Sequence, residues 1–311
     1  MSLFFPASLA SPLERGCFAF LLLITYSLLG WCGEMVYCSL GQGKLCEKRG
    51  FLNGPLCPIY GHGALLVLAA LGGSTNPLVT FAAGAVLTSA VEYVTSYLME
   101  KLFHMRWWDY SHKRWNLNGR VCLQNSTIFG LACVALCHWA NPAVTLRVGA
   151  LLRRGIGVPL ALSLLVLYLA DVVLSVRSAI QIGSRLEQLH AIHDELAVKL
   201  EALRQEQRLA AEAQRAKLEA AMGAVRQGAA EKRAEAARAV QAKLEPLGGI
   251  GGEFTKRLDA ARAEAQQKLH ALYDKQDFFE RRLLRAFPTL HSPLHGEALK
   301  KLREYREKRE E

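Results

Sequence analysis

The stretch CFAFLLLITYSLLGWCGEMVYCSL, Cys17–Leu40, is almost entirely apolar and contains one charged residue, Glu34. A helix needs about 20 mostly apolar residues to cross a hydrocarbon core of about 30 Å, so this stretch is long enough to span a membrane. It is too long for the apolar part of a signal peptide, and no small-residue cleavage site follows it. We therefore interpret it as a membrane-spanning helix.

Four further apolar runs follow it and extend the same interpretation along the chain. Together the five runs predict an all-α, polytopic membrane domain over residues 1–176, with spans at about 17–40, 55–73, 78–99, 121–140 and 157–176. After Val176, the residues Lys, Arg, Glu, Ala and Gln dominate the sequence. This change in composition predicts a helical tail over residues 177–311.

Leucines in the first part of the tail recur with heptad spacing, which is typical of a coiled-coil seam. They are Leu186, Leu189, Leu196, Leu200 and Leu203. The pattern does not decide whether the seam pairs with the same chain or with another. The segment PLGGIGG at 246–252 contains helix-breaking residues that would let the chain fold back. The tail is therefore predicted to be helical, with a coiled coil and a break at 246–252.

Positively charged residues are distributed unequally between the two sides of the five predicted spans. Lys and Arg in short loops favour the cytoplasm. One side carries ten of them, and the other carries Arg15, Arg147, Arg153 and Arg154. This asymmetry predicts an inner-membrane protein with its N-terminus outside and its tail in the cytoplasm. Charges of both signs are interleaved in the tail, as on a solvated helix face, so the net charge of +10 does not indicate a nucleic acid. The predicted partner is a lipid bilayer.

Three carboxylates lie inside predicted spans, where ionisable residues are costly and point to function. Glu34, Glu92 and Asp171 each lie six or seven residues before the cytoplasmic end of a span, so they share a depth. The spans that run the other way bring Tyr60, His62, Gln124 and Asn125 to the same layer. These seven residues are the predicted substrate or ion path. The same residues could instead brace the bundle, or an acid and His62 could act as acid and base, and we assign no catalytic residue, cofactor or metal.

The second predicted span begins with residues that break helices. Asn53, Gly54, Pro55, Pro58 and Gly61 fall within NGPLCPIYG. Irregular backbone at membrane depth is tolerated only where it is buried in protein or lines a wet cavity. Discontinuous helices of this type form binding sites in transporters, so we interpret these residues as a broken or re-entrant helix start.

The loop RWWDYSHKRWNLNGR, 106–120, mixes aromatic rings with cations and Asp109. Trp and Tyr are enriched at membrane interfaces, so Trp107, Trp108 and Tyr110 are predicted to anchor the loop at headgroup level. Asp109 could pair with Arg106, Lys113 or Arg120. Substrate binding by this loop is the alternative.

Several long motifs resemble a known family. They are GWCGEMVYCSL (30–40), RGFLNGPLCPIYGHGAL (49–65), VEYVTSYLMEKLFHMRWWDYSHKRWNLNGRVCL (91–123) and RRLLRAFPTLHS (281–292). They resemble the bacterial membrane proteins grouped as ABC-transporter type IV, or CmpB-like ABC transporter permeases.

The resemblance implies a permease that pairs with a separate nucleotide-binding ATPase subunit. The sequence itself has no G-x-x-x-x-G-K-[ST] phosphate loop. The resemblance also implies an ordered cytoplasmic loop that includes Trp107, Trp108, Asp109, Tyr110 and Asn118. Because five helices are few for a conduit, a homo-oligomer is expected. We therefore predict a non-enzymatic membrane subunit of a transport system; a scaffold or regulatory protein whose tail recruits partners is the alternative.

Overall fold

The computed structural model describes residues 11–43, 50–227, 238, 247–274 and 278–310. These residues are predominantly helical, which confirms the all-α prediction. The chain divides into two compact units. Unit 1 contains Met1–Ser184 and Gln276–Lys300, and unit 2 contains Arg185–Lys275 and Lys301–Glu311. Residues 276–300 of the predicted tail thus group with the predicted membrane domain, and the boundary at 176/177 stays a prediction.

Two helices of the predicted membrane domain begin at residues whose side chains cap them. Ser11 and Glu14 form a capping box at the start of the first helix, and Asn76 caps the third helix by accepting from the Leu78 amide. Proline occupies the first helical position in both cases, where its missing N–H costs nothing. The helices are α1 (Pro12–Gln42), α2 (Pro58–Leu71), α3 (Pro77–Phe103), α4 (Leu123–Ala135), α5 (Asn141–Arg153) and α6 (Gly157–Gln227).

Four of the helical segments are long and apolar enough to cross a membrane: Pro12–Leu40, Pro77–Phe103, Leu123–Arg153 and Gly157–Ala220. The second predicted span, 55–73, is a shorter apolar helix, α2, of 14 residues. The fourth, predicted to end at 140, continues to Arg153. A π-helical turn, Leu136–Ala140, joins α4 to α5 just before Pro142, and such a turn lets a helix continue past a proline that lacks its N–H.

Close backbone approach joins α1 to α2. A Cβ built on Gly30 would overlap the Tyr60 side chain, and one built on Gly61 would lie 2.6 Å from the Leu23 carbonyl oxygen. Small residues at such contacts are typical of membrane helix interfaces. Further toward the N-terminus of α1, a buried apolar cluster forms with the end of α2, α5 and the start of α6; its members include Phe18, Leu22, Tyr26, Leu68, Val148, Leu152 and Ala161.

Glycines also bring α3 and α4 together. A Cβ on Gly84 would lie 2.6 Å from that of Cys133, and one on Gly130 would lie 2.9 Å from the Phe81 ring. The hydroxyls of Ser89 and Ser126 are 2.6 Å apart across the same interface. The α1–α2 contacts Leu23–Gly61 and Gly30–Tyr60, and the contacts of α3 with α4 and the π-helical turn that follows it, Ser89–Ser126 (2.6 Å) and Thr80–His138 (3.4 Å), show that the two helices of each pair are antiparallel.

Residues 276–300 contribute a short helix and a loop to unit 1. The helices in this part of the chain are α8 (Phe278–Ala286) and α9 (Gly296–Glu310), which begins in unit 1. Leu283, Leu284 and Leu290 are buried. The backbone of His291 exchanges two hydrogen bonds with that of Arg106, at 2.6 and 2.9 Å. This part of the tail is therefore held by the loop between α3 and α4, in which β1 (Asn116–Leu117) pairs with β2 (Val121–Cys122).

Unit 2 contains an antiparallel helical pair made by α6 and α7 (Leu247–Asp274). Ion pairs join Arg257 to Glu206 at 3.0 Å and Lys199 to Glu264 at 3.5 Å. The predicted break at 246–252 needs correction, because residues 247–252 are helical in α7 and residue 246 lies outside the described residues. A helix tolerates glycine at a cost of about 1 kcal/mol per residue. The coiled coil stays a prediction.

Candidate functional site

The α1–α2 loop, residues 50–57, is irregular backbone enclosed by protein. Gly50 adopts φ +116°, which a residue with a side chain rarely adopts. Leu52 and Cys57 are buried, and the Cys57 amide donates to the Ser27 carbonyl over 3.0 Å. Enclosure requires that the remaining polar backbone groups of this loop find partners inside the protein.

Asp171 on α6 supplies partners for the amides of the α1–α2 loop. Its Oδ1 accepts from the Asn53 backbone N–H (2.8 Å) and side-chain Nδ2 (2.9 Å), and its Oδ2 accepts from the Gly54 N–H (2.7 Å). Ser175, one turn further along α6, lies 3.1 Å from Asn53 Nδ2. Asp171 therefore fixes the conformation of the loop.

Arg282 on α8 binds the carbonyl side of the same loop. Its Nη2 donates to the carbonyls of Gly50 (2.7 Å) and Leu52, and its Nη1 donates to Asn53 Oδ1 (3.1 Å) and the Phe51 carbonyl (3.4 Å). Burial lowers the pKa of Arg282, and the negative charge of Asp171 acts in the opposite direction. The loop is therefore held between an anion on α6 and a cation on α8.

An aromatic cluster packs beside this loop. The Trp107 ring lies 5.2 Å from that of Phe51, 5.9 Å from Phe103 and 4.9 Å from Phe287 between centroids, each edge to face. Trp107 is only 2% exposed. Rings from three other segments cover it, and its role as an anchor at headgroup level stays a prediction.

Glu34 contacts the second helix. The Tyr60 hydroxyl donates to Glu34 Oε2 over 2.7 Å, and the Cys38 thiol lies 3.7 Å from Glu34 Oε1. The close approach of Gly30 to Tyr60 places the tyrosine against α1, one turn from Glu34. A carboxylate in span one and a phenol at the start of α2 therefore form one hydrogen-bonded pair.

Glu92 on α3 forms a second carboxylate–tyrosine pair. The Tyr110 hydroxyl donates to Glu92 Oε1 over 3.2 Å. Glu92 is 6% exposed, and its Oε2 is buried with no hydrogen-bond partner among the described residues. Burial raises the pKa of Tyr110, and the charges of Glu92 and Glu34 raise it further. Glu92 and Tyr110 therefore form a hydrogen-bonded pair in which one carboxylate oxygen has no partner among the described residues.

The α3–α4 loop, residues 104–122, owes its order to specific contacts. The Arg120 guanidinium lies 2.7 Å from Glu100 and 3.2 Å from Ser96 Oγ, and Arg106 also binds Glu100, at 2.8 Å. The predicted partners of Asp109 included both arginines, but its Oδ1 accepts from the backbone and side chain of Ser111.

Two further side chains of this loop bond to its surroundings. Trp108 Nε1 donates to the Arg120 carbonyl over 3.0 Å. Asn118, at φ +53°, donates to the Tyr93 hydroxyl over 2.9 Å. Both contacts lie on the same side of the loop as Arg120, whose guanidinium lies over the Tyr93 ring.

Three predicted path residues lie apart from the carboxylate–tyrosine pairs. His62 is exposed and its Nδ1 contacts the Pro58 carbonyl in its own helix, and Gln124 is exposed on α4. Asn125 is half-buried, while its neighbour Ser126 contacts Ser89. Among the predicted helix-start residues, Pro55 is exposed, Pro58 is the first residue of α2 and Gly61 is buried against α1. A role of any of these residues in transport stays a prediction.

Arg282 is the functional residue that the sequence did not single out. Its only signal is its place in RRLLRAFPTLHS, 281–292. Adjacent arginines in a helical tail give no indication of which one is buried. The contact joins residues separated by about 230 positions, so no local pattern could reveal it.

Comparison with known proteins identifies the family. The family model described as "Putative ABC-transporter type IV" matches residues 21–176, half of the chain. The chain belongs to this family. The family match includes Glu34, Tyr60, Glu92, Tyr110 and Asp171, and it ends before α8. Among curated proteins and solved structures, no match was found.

Proposed function

We propose that this protein is the membrane subunit of a transport system whose ATPase is a separate chain. The family assignment supports a membrane transport component, and the apolar helices fit a membrane protein. The sequence lacks the G-x-x-x-x-G-K-[ST] phosphate loop. ATP hydrolysis by that route must therefore come from a partner.

The observation that carries this proposal is that a carboxylate of α1 and a carboxylate of α3 each accept a hydrogen bond from a tyrosine, in the pairs Glu34–Tyr60 and Glu92–Tyr110. A buried carboxylate must be neutralised by a proton, a cation or a paired group. Glu92 has one phenol donor and one oxygen without a partner among the described residues. The Glu34–Tyr60 and Glu92–Tyr110 pairs are therefore the proposed polar path, which would bind a proton or another cationic species.

We assign a topology of five crossings to the inner membrane, with the N-terminus outside and the tail in the cytoplasm. Helix α2 has 14 residues and is about 21 Å long at 1.5 Å per residue, so the α1–α2 loop must complete its crossing. The antiparallel contacts between α1 and α2 support this assignment. Reporter fusions at the two termini test it, because five crossings place the termini on opposite sides and four place them on the same side.

Affinity purification of the full chain from mild detergent, followed by mass spectrometry, tests the proposed ATPase partner. Recovery of a nucleotide-binding ATPase in fixed ratio, together with ATP hydrolysis by the complex, is the expected result. Recovery without any ATPase, in detergent that preserves the folded chain, would contradict the proposal.

Glu34→Gln and Glu92→Gln test the path within that complex, with Glu187→Gln on the exposed part of α6 as the matched control. The two path variants are expected to assemble normally and to reduce ATP hydrolysis severalfold in liposomes, because they remove the group that exchanges a proton or cation. Unchanged hydrolysis in both variants would argue against the path.

A scaffold is the second candidate function, and the contacts of Asp171 favour it. Both carboxylate oxygens of Asp171 accept from backbone amides of the α1–α2 loop, which is the behaviour expected of a brace. Purification with soluble proteins bound to the tail, and without an ATPase, would favour this function.

A further inference from the structure

Helix α8 belongs to unit 1, but the chain on either side of residues 276–300 belongs to unit 2. Residues 276–300 group with unit 1, whereas the segments on either side, Arg185–Lys275 and Lys301–Glu311, belong to unit 2. Leu283, Leu284 and Ala286 are buried, and Arg281 is exposed. A short helix inserted in this way is connected to unit 2 through the chain in both directions.

At the contact between α8 and the α1–α2 loop, oxygens of the loop surround the Arg282 cation. We call this set of acceptors the cradle. The carbonyls of Gly50, Phe51 and Leu52 and the side-chain oxygen of Asn53 all accept from Arg282. These oxygens belong to irregular backbone that no helix can satisfy. A guanidinium offers five donors in a fixed plane, so it can serve several of these acceptors at once.

We propose that α8 is a latch, in which Arg282 locks the α1–α2 loop and undocking of α8 releases the loop and the start of α2. The released loop would leave buried carbonyls without partners, so it would rearrange or hydrate. Because the loop leads directly into α2, its release would also loosen Tyr60 and its bond to Glu34. A partner that binds unit 2 could drive this release through the chain that flanks α8.

Cys57 provides a native reporter for the latch. It is 6% exposed, and a Cβ built on Gly50 would lie 3.2 Å from its Sγ, so the locked loop covers the thiol. Cys133 is 4% exposed and packs against Gly84 between α3 and α4. It is the internal reference, because opening of the latch leaves that interface intact whereas global unfolding exposes both thiols.

Maleimide labelling of the full-length protein in detergent, quantified for each cysteine by peptide mass spectrometry, tests the latch. In Arg282→Ala, labelling of Cys57 is expected to be at least tenfold faster than in the native protein, while labelling of Cys133 is unchanged. Arg282→Lys should be intermediate, because an ammonium lacks the planar fork. Arg281→Ala, at the exposed neighbour, should match the native protein. Equal labelling of Cys57 in the native protein and Arg282→Ala would overturn the proposal.

Chemical rescue adds a second criterion. Millimolar guanidinium should restore protection of Cys57 in Arg282→Ala by occupying the empty cradle, whereas tetramethylammonium, which has no N–H donors, should not. Protection restored equally by both salts, or by neither, would contradict a cradle specific for hydrogen-bonding cations.

Hydrogen exchange of the native protein keeps the proposal testable if Arg282→Ala fails to fold. The latch requires that the amides of Asn53 and Gly54 open together with those of α8, with the same protection factor. Stronger protection is expected for α3 and α4 near Gly84. Loop amides that stay protected while α8 exchanges freely would refute the latch.

Discussion

The packing of α1 against α2 makes a sharp prediction for two glycines in one helix, Gly61 and Gly63. A Cβ on Gly61 would overlap Ser27 Oγ and lie 2.6 Å from the Leu23 carbonyl oxygen, whereas a Cβ on Gly63 would have no atom within 4 Å. The Ser27 hydroxyl can rotate away, but the Leu23 carbonyl belongs to α1 and can move only with the helix. Substitution of Gly61 by alanine must therefore separate the helices or strain them.

The expected magnitudes have opposite signs. Alanine is more favourable than glycine in a helix interior by about 1 kcal/mol, and Gly63→Ala should gain up to that amount. Overpacking costs about 1–3 kcal/mol, so Gly61→Ala should lose a net of about 0–2 kcal/mol after the same gain. The two variants should thus differ by about 1–3 kcal/mol, which is the overpacking cost alone. At about 2–4 °C per kcal/mol for a domain of 150–250 residues, their melting temperatures should differ by about 2–12 °C.

Thermal unfolding of the purified protein in one detergent provides the assay, with the native protein and both variants measured side by side. A second pair on the other helix repeats the test: Gly30→Ala should overlap Tyr60, whereas Gly33→Ala has no atom within 4 Å of its new Cβ. If Gly61→Ala is as stable as Gly63→Ala, the close approach of α1 and α2 is wrong. The contact between Tyr60 and Glu34, which depends on that approach, would then be wrong as well.

Three further predictions concern the polar contacts. Asp171→Asn should lower the free energy of unfolding by about 2–4 kcal/mol, measured by thermal unfolding, because an amide cannot accept from all the donors that the carboxylate holds. Arg120→Lys should cost about 1–2 kcal/mol by losing either Glu100 or Ser96, whereas Arg114→Lys, exposed in the same loop, should stay within about 0.5 kcal/mol. For Asp109, partial burial raises the pKa, but hydrogen bonds from Ser111 outweigh it and the net pKa is lowered. Its contribution to stability is therefore present above its ordinary pKa of about 3.9 and lost as pH falls through the lower folded pKa. The deficit of Asp109→Asn in melting temperature should be constant from about pH 8 to pH 5 and vanish in acid; a deficit that persists in acid would contradict this assignment.

The sequence predicts those parts of the fold that depend on local composition. Apolar runs identify the helices, whereas the common depth of Glu34 and Glu92 in a membrane stays a prediction. Tyr60 was predicted to lie in the same layer as Glu34, and the structure brings the two within hydrogen-bonding distance. The sequence could not predict the extension of the fourth helix to Arg153, because an Asn-Pro pair usually marks a boundary and a π-helical turn leaves no clear pattern.

Contacts between distant segments are the part that the sequence could not supply. Trp107 in a cationic loop has the composition of an interface anchor, yet its surroundings come from Phe51, Phe103 and Phe287. Similarly, heptad and charge patterns in the tail indicate solvated helices. They contain no sign that one arginine in a short helix finds its acceptors some 230 residues away.

The three membrane carboxylates differ in what their oxygens bind, and this difference bears on the choice between bracing and transport. Both oxygens of Asp171 accept from the α1–α2 loop, so replacing it should destabilise the protein before it affects any other property. Glu92 is more deeply buried than Asp171, but it has a single phenol donor and an oxygen without a partner among the described residues. A buried oxygen in that state costs free energy unless a proton or cation binds it. We therefore propose that bracing and transport are separate tasks of different residues: Asp171, with Arg282, holds the loop that leads into α2, and α2 in turn holds Tyr60 against Glu34.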